Sequence, residues 1–141
     1  MTTSPMRVTK TGQPIPERVI MFGQGLPGFE DHRRFVLMAS PALDPFALLQ
    51  GAGADAPSFV GIDPRLVDPS YQTPLRDDDL MRLEARRDDN LLWLALVAAQ
   101  PDGTATVNLR APVVINPASM RGIQVVPHES PYRLDQPLSF E

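Results

Sequence analysis

Residues 19–35 read VIMFGQGLPGFEDHRRF, and the purpose of their glycines decides the fold. Gly23, Gly25 and Gly28 fall in the order G-x-G-x-x-G. In a dinucleotide-binding unit that pattern follows a strand and opens a helix, so that the helix N-terminus meets a pyrophosphate. Val19-Ile20-Met21-Phe22 supplies a strand, but the chain after Gly28 supplies no helix. It passes from Phe29 to Arg34 into Phe35-Val36-Leu37-Met38, a short apolar run bounded by polar and turn-forming residues. Asp44 stands at a distance suited to a ribose contact, yet Pro41 and Pro45 frame it and disfavour a strand end there. The stretch therefore reads as strand, tight turn, strand, with glycine wherever φ must be positive.

The rest of the chain extends that pattern. Its 141 residues suit one domain, 1–141, long enough to bury about two thirds of the unfolded surface. Sixteen prolines spread along the whole length break long helices and favour short strands joined by turns. Residues 6–10 (MRVTK) alternate as a strand does, and 12–16 (GQPIP) read as a turn leading to Val19. Further short strands are expected at 35–38 (FVLM), 45–50 (PFALLQ) and 58–62 (SFVGI), each bounded by Pro, Gly, Asp or Ser. The segment 63–74 (DPRLVDPSYQTP), with three prolines, reads as an irregular surface excursion.

One short helix is expected near residues 77–87. Asp77, Asp78 and Asp79 favour the positive end of its dipole, Arg86 and Arg87 the other, and Leu80 and Leu83 share a face. Then comes 91–99 (LLWLALVAA), apolar on both faces as a central strand covered from both sides would be. A turn at 101–103 and strands at 104–109 (TATVNL), 113–116 (VVIN) and 122–126 (GIQVV) follow. The expected fold is all-β and mainly antiparallel: a small β-barrel-like domain with one short helix.

Composition excludes several classes of function. There is no cysteine, hence no disulfide framework and no thiolate site. The net charge of −4, with adjacent basic pairs only at Arg33-Arg34 and Arg86-Arg87, argues against direct nucleic-acid binding, which needs clustered cations. An acidic chain is better suited to meeting a basic partner. The N-terminus lacks the unbroken apolar core of a signal peptide, and the longest apolar run falls well short of the roughly twenty residues that span a bilayer. A soluble cytoplasmic protein without membrane association is expected.

Catalytic signals are sparse. His32 and His128 are not part of any pair at metal-ligand spacing and read as solvated loop residues. There is no nucleophile elbow, Walker loop or zincin motif. The triplet Asp77 to Asp79 lacks the spaced oxygens and turn glycine of a calcium loop, so it reads as a helix start. A competing function, a small-molecule-binding or hydrolytic barrel, would use Glu30, Asp31 and Asp63. It requires a deep pocket holding two of these acids with raised pKa values.

The segment 106–126 (TVNLRAPVVINPASMRGIQVV) differs in kind. Asn108 and Asn116 bracket a run in which Pro112 opens one strand and Pro117 ends it. It reads as strand, kink, strand, with each Asn bonding to the local backbone.

At these residues the chain resembles the flagellar assembly factor family, FliW. Four stretches carry the likeness in family order: 25–30 (GLPGFE), 45–50 (PFALLQ), 59–64 (FVGIDP) and 107–126. The acids near 77–80 and the terminal 130–138 (SPYRLDQPL) also fit, so the likeness covers nearly the whole chain. Gly51 departs from it, standing where a serine is common. In the family pattern the constant turn begins at Gly25, which leaves Gly23 to complete the fingerprint by coincidence. The resemblance implies a non-enzymatic regulator without cofactor. Such a protein binds the dimeric RNA-binding translational regulator CsrA, and flagellin, whose free pool competes for it. It also implies that Asn108, Leu109, Ala111, Pro112, Val114 and Ile115 lie along a partner surface, while Asp77, Asp78 and Asp79 steer a basic partner. Strand alternation sends one of Val114 and Ile115 inward.

Overall fold

The computed structural model describes residues 19–139, together with the backbone of 7–8 and 14–15. Those two pairs form a small antiparallel ladder, β1 (Arg7–Val8) with β2 (Pro14–Ile15). The remainder of the strand and turn expected over 6–16 lies outside the described residues.

The principal sheet closes on itself. β3 (Val19–Met21), β4 (Arg34–Met38), β5 (Phe46–Gly51), β6 (Ser58–Ile62), β7 (Leu92–Ala99) and β8 (Ala105–Asn116) pair antiparallel in chain order. β9 (Arg121–Gln124) pairs antiparallel with the second half of β8 and parallel with β3 at Met21 and Arg121, closing a seven-stranded barrel. At this seam Met21 N also donates to Met120 O at 2.9 Å. β10 (Gln136–Leu138) lies along the first half of β8, outside the ring. The antiparallel all-β barrel expected from the turn-bounded short runs is the observed fold, because closure is how such strands remove their free edges.

Alternation then assigns the faces. Ile20, Phe22, Phe35, Leu49, Leu94, Val113 and Ile115 fill the barrel interior, with Leu37, Ala47, Phe59 and Leu96 packed against them. Interior positions without room for a Cβ carry glycine: a Cβ on Gly122 would come within 2.5 Å of the Phe22 ring. The opposite face of β7 and β8 is also covered, so the run at 91–99 is a central strand as its composition implies. There Ala95, Val107 and Leu109 pack with Ile62, Tyr71, Trp93 and Tyr132, and Val114, Ile123 and Val125 pack under Leu83.

Three local features depart from the expectation. First, α1 (Pro64–Val67) forms inside the segment read as irregular, giving the fold two short helices. Asp63 caps it, Oδ1 accepting from Arg65 N at 3.0 Å, and Pro64 takes the first helical position, where no N–H is needed. Second, α2 (Asp77–Arg82) stops earlier than the acidic-to-basic pattern suggests. Glu84 adopts φ 50°, Ala85 N bonds back to Leu80 O at 2.9 Å, and Glu84 N to Met81 O at 3.0 Å, a left-handed helix stop. Third, 104–109 and 113–116 belong to one long strand, β8, with a bulge between its halves. Leu94 faces Val113 and Leu96 faces Asn108, so Leu109 to Pro112 stand as extra residues opposite Ala95. The bulge reverses the inward phase, which is why Val107 and Leu109 face outward while Val113 and Ile115 face inward.

Candidate binding surface

The bulge in β8 frees backbone groups from the ladder, and nearby side chains take them up. Asn108 Oδ1 accepts from Arg110 N at 3.1 Å and from Ala111 N at 2.9 Å. Leu109 O accepts from the Tyr71 hydroxyl at 2.8 Å, and Leu109 N donates to Arg133 O at 3.0 Å. Ala111 O accepts from Gln124 Nε2 at 2.9 Å, and Pro112 O from Val125 N at 2.8 Å. Arg110 reaches over 128–130, donating from Nη1 to Ser130 O at 3.0 Å. Burial holds the Tyr71 phenol above its ordinary pKa against the lowering effect of the Thr73 hydroxyl bond, which keeps it a donor to Leu109 O.

Asn116 does the corresponding work at the other end of β8. Its Oδ1 accepts from Ala118 N at 3.1 Å, and its Nδ2 donates to Leu83 O and Glu84 O, the orphan carbonyls at the end of α2. Both asparagines thus bond to backbone, as the sequence suggests, and Asn116 in addition ties the helix to the barrel.

These bonds place the expected partner-surface residues. Asn108 is half-buried; Leu109, Ala111, Pro112, Val114 and Ile115 are all buried. Both members of the Val114–Ile115 pair are inside, on opposite sides of the sheet: Ile115 in the barrel and Val114 beneath Leu83. Their side chains shape a surface from below and do not line it. The acidic triplet separates as well. Asp77 and Asp78 are exposed, Asp77 pairing with Arg87 Nη2 at 2.6 Å, whereas Asp79 is fully buried. Asp79 Oδ2 accepts from Arg76 N at 2.9 Å and lies 3.5 Å from Arg76 Nε, so this acid starts the helix and is not available to steer a partner.

The concave surface lies elsewhere. A cleft of about 510 Å³ opens between α1 and the segment 71–74, lined by Arg65, Tyr71, Gln72, Thr73, Pro74 and Trp93. A second, of about 260 Å³, shares Thr73 and Trp93 with it and continues over Leu75, Leu80 and Leu91 to Arg87 and Asp89. Segment 71–75 is fixed by Gln72 N donating to Tyr132 Oη at 2.8 Å and by Arg87 Nη1 donating to Leu75 O at 3.0 Å. Nothing at the sequence level joins Arg65, Tyr71 and Trp93; the Asp63-Pro64 helix start was the readable signal for where Arg65 would point.

The acid-barrel reading loses its premise here. Glu30, Asp31 and Asp63 line neither cleft. The Gly28 N–H donating to Glu30 Oε2 at 3.1 Å holds that exposed carboxyl below its ordinary range. Burial alone would raise Asp63, but the Arg65 guanidinium and N–H bonded to it outweigh burial and lower it. Among the described residues no three metal-ligating side chains converge. No helix among them is long and apolar enough to cross a membrane.

Comparison with known proteins gives the fold its family. The family model described as FliW protein matches residues 7–138. The flagellar assembly factor FliW of Syntrophus aciditrophicus is 36% identical over 120 residues, covering 83% of this chain and 76% of that one. That of Natranaerobius thermophilus is 36% identical over 124 residues, covering 86% and 82%. A crystal structure of the flagellar assembly factor FliW superposes with a TM-score of 0.80 at 31% identity, covering 96% of this chain and 98% of that one. With the barrel, its turn at Gly25 and the bulged eighth strand all inside the matched span, the chain belongs to the FliW family of flagellar assembly factors.

Proposed function

We propose that this protein is a non-enzymatic, cytoplasmic regulator that binds a CsrA-type RNA-binding protein and flagellin, coupling flagellin secretion status to flagellin mRNA translation. The observation that carries the reading is membership of a flagellar assembly family across nearly the whole barrel. The geometry is compatible with it: the clefts are open, and the acids Asp77 and Asp78 are displayed at the surface. A basic RNA-binding protein is attracted by such a face, which raises its association rate in a salt-dependent way.

Regulation of this kind needs no bond to be made or broken. If binding of the regulator to this protein and to RNA are negatively coupled, each weakens the other by the same factor, and about 1–3 kcal/mol gives roughly 5- to 150-fold control. The test is size-exclusion chromatography of the purified chain mixed with CsrA or flagellin from the same organism. Co-elution is expected, and the absence of a complex with either at micromolar concentrations overturns the proposal.

A further inference from the structure

We propose that residues 128–138 form a strap that lifts off the barrel as one unit and takes the anchorage of segment 71–75 with it, so that freeing the edge of β8 and loosening the cleft wall are a single event. The strap is lightly attached for its length. No residue of 126–139 is buried, although Tyr132 and Leu138 lie over Val107 and Leu109, which are. β10 contributes a ladder of three residues on the outer edge of β8, and Pro137 at its centre has no N–H to donate. The ring itself closes through β9 and β3, so it stands without the strap. A segment with few buried apolar contacts on a sheet edge opens at a lower free energy than the core it covers.

The inner side of the strap carries the coupling. Tyr132 packs its ring on Tyr71, with centroids 4.5 Å apart, and its hydroxyl oxygen accepts from Gln72 N at 2.8 Å. One residue on, Arg133 O accepts from Leu109 N at 3.0 Å, and Arg110 Nη1 donates to Ser130 O at 3.0 Å. Among the described residues, Tyr132 Oη and Arg133 O are the only acceptors of the Gln72 and Leu109 amides. Tyr71 is tied to β8 by its hydroxyl bond to Leu109 O, and Arg87 Nη1 holds Leu75 O. Segment 71–75 is thus pinned at both ends, and the Gln72 amide between them is released when Tyr132 withdraws. Tyr132 does not withdraw alone, because its neighbour Arg133 is bonded to the bulge. Strap, bulge and cleft wall therefore open together, whichever protein the chain binds, so the test is separate from the CsrA and flagellin assignment.

Native-state hydrogen exchange of the full chain in low urea provides that test, with the Gln72 and Leu109 amides as reporters on two different elements. Their opening constants are expected to agree within about threefold and to share one urea dependence, both amides exchanging faster than those of the β5–β6 ladder. Leu138→Ser weakens β10 at a position outside both reporter bonds. It is expected to speed both amides by about tenfold or more and to leave the β5–β6 ladder unchanged. Either amide exchanging only with the β5–β6 ladder, or the two with different urea dependences, overturns the proposal in the wild-type chain, where no variant is needed. A Leu138→Ser chain that leaves either reporter at its wild-type rate overturns it too.

Discussion

Asn116, the last residue of β8, donates its Nδ2 amide to the carbonyls of Leu83 at 3.1 Å and Glu84 at 3.2 Å, holding the end of α2 on the barrel. Leu83 O has a second donor, Ser119 Oγ at 2.7 Å, whereas among the described residues no other side chain donates to the Glu84 carbonyl. Truncation to Asn116→Ala should therefore lower stability by about 1–3 kcal/mol, the cost of part-buried carbonyls left short of partners. Asn116→Asp should be worse, because a buried carboxylate would face two carbonyl oxygens. Urea unfolding midpoints at constant slope measure both. A midpoint unchanged in Asn116→Ala would refute the tie.

The acids at the start of α2 make a sharper contrast than the triplet suggests. Asp78 is exposed, so Asp78→Lys should leave stability within about 1 kcal/mol, the scale of a helix-dipole effect, and slow association with a basic partner at low salt. Asp79 is buried and caps Arg76 N, so Asp79→Ala should cost about 1–2 kcal/mol. Thermal unfolding of the two single variants checks this. Equal losses would mean that the triplet acts as one surface feature.

How much of this was readable beforehand follows from what each signal depends on. The strands β3 to β7 and β9 are short apolar runs bounded by polar or turn-forming residues, so local sequence locates them. The Gly25 turn was legible for the same reason. β8 was read as two strands because Pro112, without an N–H, reads as the opening of a new strand; here the bulge lets Pro112 sit where no N–H is required, and the partners of the bulged segment, Gln124, Tyr71 and Val125, are distant in sequence. The helix was read too long because it stops at a left-handed Glu84, a residue type that does not announce such a turn, and the donor that takes up its last carbonyls, Asn116, lies more than thirty residues away. β10 carries Pro137 at its centre, which argues against a strand in local pattern and is tolerated here because β10 is an edge. The cleft was invisible for a stronger reason: Arg65, Tyr71 and Trp93 belong to a helix, a loop and a strand that only the tertiary fold brings together.

Asp63 links that cleft to pH. Burial by itself would raise its pKa, and the Arg65 bonds reverse the sign, so the folded-state value lies below the ordinary one. A depressed carboxylate contributes stability above the unfolded value, near pH 4, and loses it as pH falls through the folded value. The Asp63 side chain is 37% exposed and that of Arg65 61%, so solvent screens the pair and the contribution is a fraction of a kcal/mol. Asp63→Asn keeps a good helix cap while removing the charge. Its stability should fall less than that of the wild type between pH 7 and pH 3, as read by urea unfolding at both; parallel losses would show that the pair contributes nothing.

The three glycines of G-x-G-x-x-G separate by what each position requires, and that separation distinguishes a turn from a phosphate cradle. Gly25 has φ +68°, and a Cβ there would lie 2.6 Å from Glu30 Cα, so backbone and space both demand glycine. Gly28 has φ +87° with open space around it, and Gly23 has neither a positive φ nor a neighbour within 4 Å. The expected order of stability loss on substitution by alanine is Gly25 well above Gly28, with Gly23 close to zero. Gly25→Ala should cost more than about 2 kcal/mol, combining overpacking with a strained backbone, and Gly28→Ala about 1 kcal/mol from strain alone. Gly23→Ala should be neutral or slightly stabilising, since alanine restricts only the unfolded chain. A dinucleotide cradle would instead need Gly23 for its tight first turn and would lose ligand affinity at each position. Urea unfolding of the three variants decides between the two, and a Gly23→Ala loss equal to that of Gly25→Ala would contradict the turn.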